Sequence, residues 1–205
     1  MNSYLLTIFI IFLLNNKIIT TSSNLYEPSS NQTSLCLIRN VEYKDEYLYS
    51  SDRPDIYDSF KHRVYTNQND YNYISSNLQM GWLLIPSNYL ANTFYIQSIR
   101  FPNEYLCTSH LHFDPFFQRR KVNLNKLNQE SVMTNKKCLW KLELIKGEKF
   151  DKTFKQYRIW NVNYKEAMYA GSDMLKTART NRRNIFTWYS RPDSNQFIWD
   201  FICFK

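Results

Sequence analysis

The chain has 205 residues, 43% hydrophobic and 17% aromatic, which suits one well-buried domain and is too short for two of ordinary size. Only 3 glycines are present, so a Gly-rich phosphate loop and collagen-like or linker architectures are excluded, and the aromatic content excludes intrinsic disorder. The 26 basic and 18 acidic residues give a formal net charge of +8, a balance that attracts polyanions.

In chain order, Tyr4 to Leu14 is an almost wholly apolar run, ended by Asn15, Asn16 and Lys17. A helix of that length covers about half of a hydrocarbon core of roughly 30 Å, so it predicts a secretory signal and not a membrane span. Residues 1–22 are read as signal peptide, 23–34 as a disordered polar stub and 35–205 as the folded domain. Asn31-Gln32-Thr33 in the stub is an N-glycosylation sequon, with Asn31 the acceptor. Four cysteines, Cys36, Cys107, Cys138 and Cys203, are an even set suited to two disulfides in an extracellular protein, with three connectivities open. No CxxC spacing occurs, so neither a zinc knuckle nor a redox dithiol is indicated.

The domain repeats itself three times. Ile38-Arg39-Asn40-Val41-Glu42-Tyr43, Ile96-Gln97-Ser98-Ile99-Arg100-Phe101 and Ile159-Trp160-Asn161-Val162-Asn163-Tyr164 align as openings, and Trp82, Trp140 and Trp199 as closings. Midway stand Val64, Val122 and Ile185, each 26 residues after its isoleucine. The intervening pattern is short apolar stretches with period-two alternation, such as Trp199, Phe201 and Cys203, which predicts several strands per repeat. Asn takes the turn positions that Gly would otherwise fill.

Three such units, covering Leu35 to Phe204, resemble the β-trefoil: all-β, four strands per repeat, a six-stranded barrel capped by three hairpins. The repeats are taken as 35–93, 94–155 and 156–205. The resemblance places the first and last strands side by side, which implies a Cys36–Cys203 bridge and, with it, Cys107–Cys138 inside the second repeat. The tryptophans lack the Gln-x-Trp signature of ricin-type lectins, with Met80, Cys138 and Phe197 at the position two before each. The loop Pro86 to Thr93, where plant-type inhibitors present a basic residue to trypsin, has no Lys or Arg. The third repeat, through Ile159-x-Asn161-Val162-x-Tyr164, Met168-Tyr169-Ala170 and Arg182-Arg183-x-Ile185-Phe186-x-Trp188, is most similar to the trefoil half of insect microvitellogenin-like low-molecular-weight lipoproteins. Their helical N-terminal domain has no counterpart here, so a storage or lipid-carrying role is not implied.

Charge is uneven: residues 35–95 sum to −2, 96–155 to +6 and 156–205 to +4. Lys61-His62-Arg63, Arg119-Arg120-Lys121 and Arg182-Arg183-Asn184 occupy one repeat position, so Arg119, Arg120, Arg182 and Arg183 serve either the architecture or a polyanion. Lys136, Lys137, Arg179, Lys146 and Lys149, followed by Lys152 and Lys155, have no such counterparts and are the sharper polyanion-binding candidates. Trp82, Trp140 and Trp199 are expected in the core, and Trp160 and Trp188 either there or on a ligand platform. Two weak catalytic patterns are set aside: His110-Leu111-His112 with Asp114 as a hairpin loop, and Asp45-Glu46 as a solvated turn and not a glycosidase couple. The expectation is a secreted, monomeric, non-enzymatic protein with no cofactor and no metal. It would bind an extracellular polyanion such as a glycosaminoglycan, or a partner protein, but not nucleic acid. The alternatives are a secreted, for instance salivary, effector or protease inhibitor, and a haemolymph storage protein.

Overall fold

A computed structural model describes residues 32–55, 61–68, 78–114, 118–145, 155–177, 180–189 and 193–204. The expected signal peptide, Asn31 and nearly all of the polar stub lie outside these residues. The first repeat folds as β1 (Ser34–Asn40), β2 (Glu46–Pro54), β3 (His62–Gln68) and β4 (Trp82–Pro86). The second gives β5 (Thr93–Ser98), β6 (Glu104–Asp114), β7 (Arg119–Lys126) and β8 (Leu139–Leu144). The third gives β9 (Gln156–Asn161), β10 (Glu166–Thr177), β11 (Thr180–Trp188) and β12 (Ile198–Phe204).

All pairings are antiparallel, and six strands close a ring: β1 on β4, β4 on β5, β5 on β8, β8 on β9, β9 on β12, and β12 back on β1. The other six form the hairpins β2–β3, β6–β7 and β10–β11, and β3, β7 and β11 pair with one another to cap the ring. This is the β-trefoil. Closure removes the exposed edges that an isolated repeat would carry.

The alternation read from the sequence is what fills the barrel. Ile38, Ile96 and Ile159, the midway Val64, Val122 and Ile185, and Trp82, Trp140 and Trp199 all lie in one buried cluster. Each closing tryptophan also finds a partner for its indole N–H, as a buried indole must. Trp82 donates to the Leu48 carbonyl at 3.0 Å, Trp140 to Leu106 at 2.7 Å and Trp199 to Met168 at 3.0 Å. The turns after β1 and β9 are tied by Asn40 and Asn161, whose side-chain oxygens accept the N–H groups of Glu42 and Tyr43 and of Asn163 and Tyr164. In the second repeat Ser98 does this work, accepting from Phe101 N–H at 3.3 Å.

Among the described residues a short helix, α1, departs from the all-strand expectation, spanning Gln129–Thr134 between β7 and β8. Local chemistry explains it. Asn128 accepts the Ser131 N–H at 2.8 Å as N-cap, and Glu130 puts an acid in the first turn.

Both disulfides pair as the trefoil resemblance implied. Cys36 and Cys203 stand opposite each other in the β1–β12 ladder, and Cys107 on β6 bridges to Cys138 just before β8, each with 4.0 Å between Cα atoms. Cys36–Cys203 closes a loop of 167 residues and Cys107–Cys138 one of 31, so chain entropy predicts the first to stabilise more, by about 1.5 kcal/mol. Urea unfolding of the Cys36→Ser/Cys203→Ser and Cys107→Ser/Cys138→Ser variants checks this. The reverse order would show that native-state packing, and not loop closure, dominates.

Candidate functional site

The three basic triplets sit at the start of β3, β7 and β11, where the hairpins meet. The middle residue of each reaches the glutamate that opens the second strand of the next repeat. His62 Nδ1 lies 2.7 Å from Glu104, Arg120 Nε donates to Glu166 at 3.0 Å, and Arg183 Nε donates to Glu46 at 2.9 Å. The set runs cyclically from repeat one to two, two to three and three to one. Each cation or imidazole also lies on the aromatic ring of that same next repeat. Arg183 is 3.6 Å from the Tyr43 centroid, Arg120 is 4.1 Å from Tyr164, and His62 stacks on Phe101 at 4.0 Å. Hydroxyls complete two of the three carboxylates: Thr66 donates to Glu46, and Thr187 to Glu166 at 2.6 Å. At the matching place the second repeat has Leu124.

Glu46 is therefore not part of a solvated turn, as its neighbour Asp45 is; it is buried because Arg183 and Thr66 satisfy it. Arg120 and Arg183 are held internally, with Arg120 also donating to the His110 carbonyl and Arg183 to that of Ser172. Arg119 and Arg182, one residue earlier, are half-buried over aromatics. Arg119 donates to the Tyr169 hydroxyl at 2.8 Å and lies 5.0 Å from the Phe186 ring, and Arg182 lies 4.9 Å from the Tyr49 ring. Lys121, 3.8 Å from Asp55, has its ammonium held below the usual lysine range by burial, which Asp55 only partly offsets.

The unrepeated lysines behave differently. Lys136 and Lys137 lie in a single 3₁₀ turn before β8, fixed by Asn135, whose side chain accepts the Lys137 N–H at 3.2 Å. Lys136 is exposed, with its Nζ 4.7 Å from the Tyr89 ring. Lys141, which composition alone did not single out, is exposed on β8; the alternation Trp140, Leu142 inward and Lys141, Glu143 outward was the available signal. Lys146, Lys149 and Arg179 lie outside the described residues.

Two other features complete the surface. The loop before β5 exposes Tyr89 and Leu90, each 50% accessible, and is braced by Tyr89 N–H to Ser87 Oγ and Thr93 Oγ1 to the Leu90 carbonyl. On the third lobe Trp160 and Trp188 are half-buried against Tyr169, Phe186 and Phe197. His110 and His112 are exposed on β6 rather than in a loop, and no group of three or more His, Cys, Asp or Glu among the described residues could hold a metal. No described helix is long and apolar enough to cross a membrane.

No family model and no curated protein matches this sequence. Solved structures do match in shape. A Culex salivary protein of the Cysteine and Tryptophan-Rich family aligns at 15% identity with a TM-score of 0.55, covering 86% of this chain and 99% of that one. The SDF2-like protein of Arabidopsis thaliana aligns at 13% identity and TM-score 0.60, covering 82% and 91%. A ricin B-like lectin of Macrolepiota procera, solved with lactose, aligns at 13% and 0.52, covering 86% and 98%. At these identities the likeness establishes the fold alone. None of the three is a lipoprotein, so the microvitellogenin likeness rests on the third repeat's residues only.

If the cyclic pairs hold the repeats together, Arg183→Ala should destabilise by about 3–5 kcal/mol, because it leaves Glu46 buried without its cation. Lys136→Ala should leave the urea midpoint unchanged. Equal midpoints for Arg183→Ala and the parent protein would contradict the architectural role.

Proposed function

We propose that this is a secreted, non-enzymatic, monomeric binding protein that holds an extracellular polyanion of the sulfated glycosaminoglycan type through the lysines of its second lobe. One observation carries the reading. At the recurring basic position Arg120, Arg183 and the imidazole of His62 turn inward onto carboxylates and aromatics, while the unrepeated Lys136 and Lys141 are exposed and Lys137 is half-buried. Exposed lysines on a protein of formal charge +8 raise the local concentration of polyanions. Two disulfides favour an oxidising compartment, where sulfated glycans and not nucleic acids are the abundant polyanions. A salivary protein and a lactose-bound lectin share the fold, which supports a binding role.

A second reading, an effector or inhibitor that grips a partner protein, is favoured by the braced loop exposing Tyr89 and Leu90. That loop bends back on itself, with Ser87 N–H bonded to the Thr93 carbonyl at 2.9 Å. It offers a compact knob to a pocket, not an extended strand to a protease cleft.

Retention on immobilised heparin tests the first reading. The parent protein should elute well above physiological salt, since counterion release makes such contacts steeply salt-dependent. Lys136→Ala/Lys137→Ala/Lys141→Ala should elute earlier with an unchanged unfolding midpoint. Elution of the parent near physiological salt would transfer the case to the partner-protein reading, for which Tyr89→Ala is then the informative variant.

A further inference from the structure

The repeats supply an internal control for every position, and one row of three residues breaks from it. In the first repeat Arg39, Tyr47 and Asn67 stand directly opposite one another across β1, β2 and β3. In the second, Gln97, Tyr105 and Asn125 do so across β5, β6 and β7. In the third the same row reads Trp160, Ala167 and Trp188 across β9, β10 and β11. Residues directly opposite in antiparallel strands share a face. Two repeats therefore build a polar–tyrosine–asparagine row that the fold accepts, and the third moves the aromatic bulk from the centre to both flanks.

The indoles lie about two strand spacings apart, roughly 10 Å at the backbone, with Ala167 on the strand between them. Ala167 is fully buried, and both indoles pack against the Tyr169, Phe186 and Phe197 cluster while remaining partly open to solvent. Neither ring is loose. Trp160 Nε1 donates to Glu143 at 2.7 Å, and Trp188 stacks on Phe197 at 6.3 Å between centroids. Arg158 lies 3.9 Å from Glu143 and 3.1 Å from Asp193, so a carboxylate and guanidinium pair borders Trp160. Directly opposite Trp160 on the other side stands Lys141, the exposed lysine of β8.

We infer that Trp160 and Trp188, flanking Ala167, form a subsite for a pyranose ring of the bound polyanion, continuous with the lysine strip through Lys141. The inference rests on the polyanion reading and adds to it a site that recognises the sugar ring itself and not only its charge. A pyranose has an apolar C–H face that packs on an indole and an equatorial rim of hydroxyls suited to Glu143 and Arg158. A sulfate on the same or the adjoining ring falls towards Lys141. A bare anion gains nothing from two indoles, and a purely apolar ligand would leave the polar border unmatched.

The test uses the full chain with two ligands of similar charge density: a heparin-derived oligosaccharide, and poly(vinyl sulfate), which has no sugar ring. Trp160→Gln/Ala167→Tyr/Trp188→Asn gives the third row the composition of the second, a row this fold already accommodates. The variant should lose at least tenfold in affinity for the oligosaccharide and keep its affinity for poly(vinyl sulfate). In the unmodified protein, the oligosaccharide should shield tryptophan fluorescence from acrylamide quenching and poly(vinyl sulfate) should not. This second measurement decides the matter should the variant fail to fold. Unchanged oligosaccharide affinity in a folded variant, or equal shielding by both ligands, overturns the ring subsite and leaves the polyanion reading standing. Binding of neither ligand by the parent protein overturns both.

Discussion

No single repeat of this chain can bury its own apolar face, and the rest of the structure follows from that constraint. Each repeat offers an isoleucine, a midway β-branched residue and a tryptophan to an interior that exists only when three sets converge. Closing the ring consumes every barrel edge, but it also drives three glutamates and three basic residues to the joints where hairpins meet. Burial of a carboxylate there is tolerated because the adjoining repeat delivers a cation or imidazole to it, seated on an aromatic ring of the glutamate's own repeat. The apolar core thus fixes the number of repeats, and the charged joints fix which neighbour each repeat takes.

That cyclic arrangement separates two kinds of positive charge that look alike in composition. Arg120 and Arg183 point towards a neighbouring repeat, and Arg119 and Arg182 lie across the aromatic residues of that neighbour. Lys136 is exposed over the Tyr89 ring and Lys141 is exposed opposite Trp160, and neither position carries a basic residue in the other repeats. The joint between the first and second repeats is the chemical exception. There His62 replaces arginine, Phe101 replaces tyrosine and Leu124 replaces threonine.

Much of the fold was legible because the threefold repeat is written in large apolar residues whose spacing survives divergence. The isoleucine, β-branched and tryptophan landmarks all reached the core, and strand adjacency at the termini brought Cys36 opposite Cys203. The short helix α1 was missed because a single turn capped by Asn128 has too few residues to show a helical period. The buried role of Glu46 was missed for a different reason: its partner Arg183 is 137 residues away, and no local pattern reports such a pair. The lysine strip was half legible. Lys136 and Lys137 stood out as a pair, but Lys141 and Trp160 become neighbours only through the β8–β9 register. The exchange of Tyr for Ala167 between flanking tryptophans is visible in sequence only once the strand partners are known.

In the proposed division of labour, repeated cations hold the barrel while unrepeated lysines hold the ligand. Lysine acetylation footprinting by mass spectrometry, with and without a heparin-derived oligosaccharide, distinguishes the two roles. Ligand should protect Lys136, Lys137 and Lys141 and leave the reactivity of Lys44 and Lys165, on turns of the first and third repeats, unchanged. Protection spread evenly over all five lysines, or confined to Lys44 and Lys165, would contradict it.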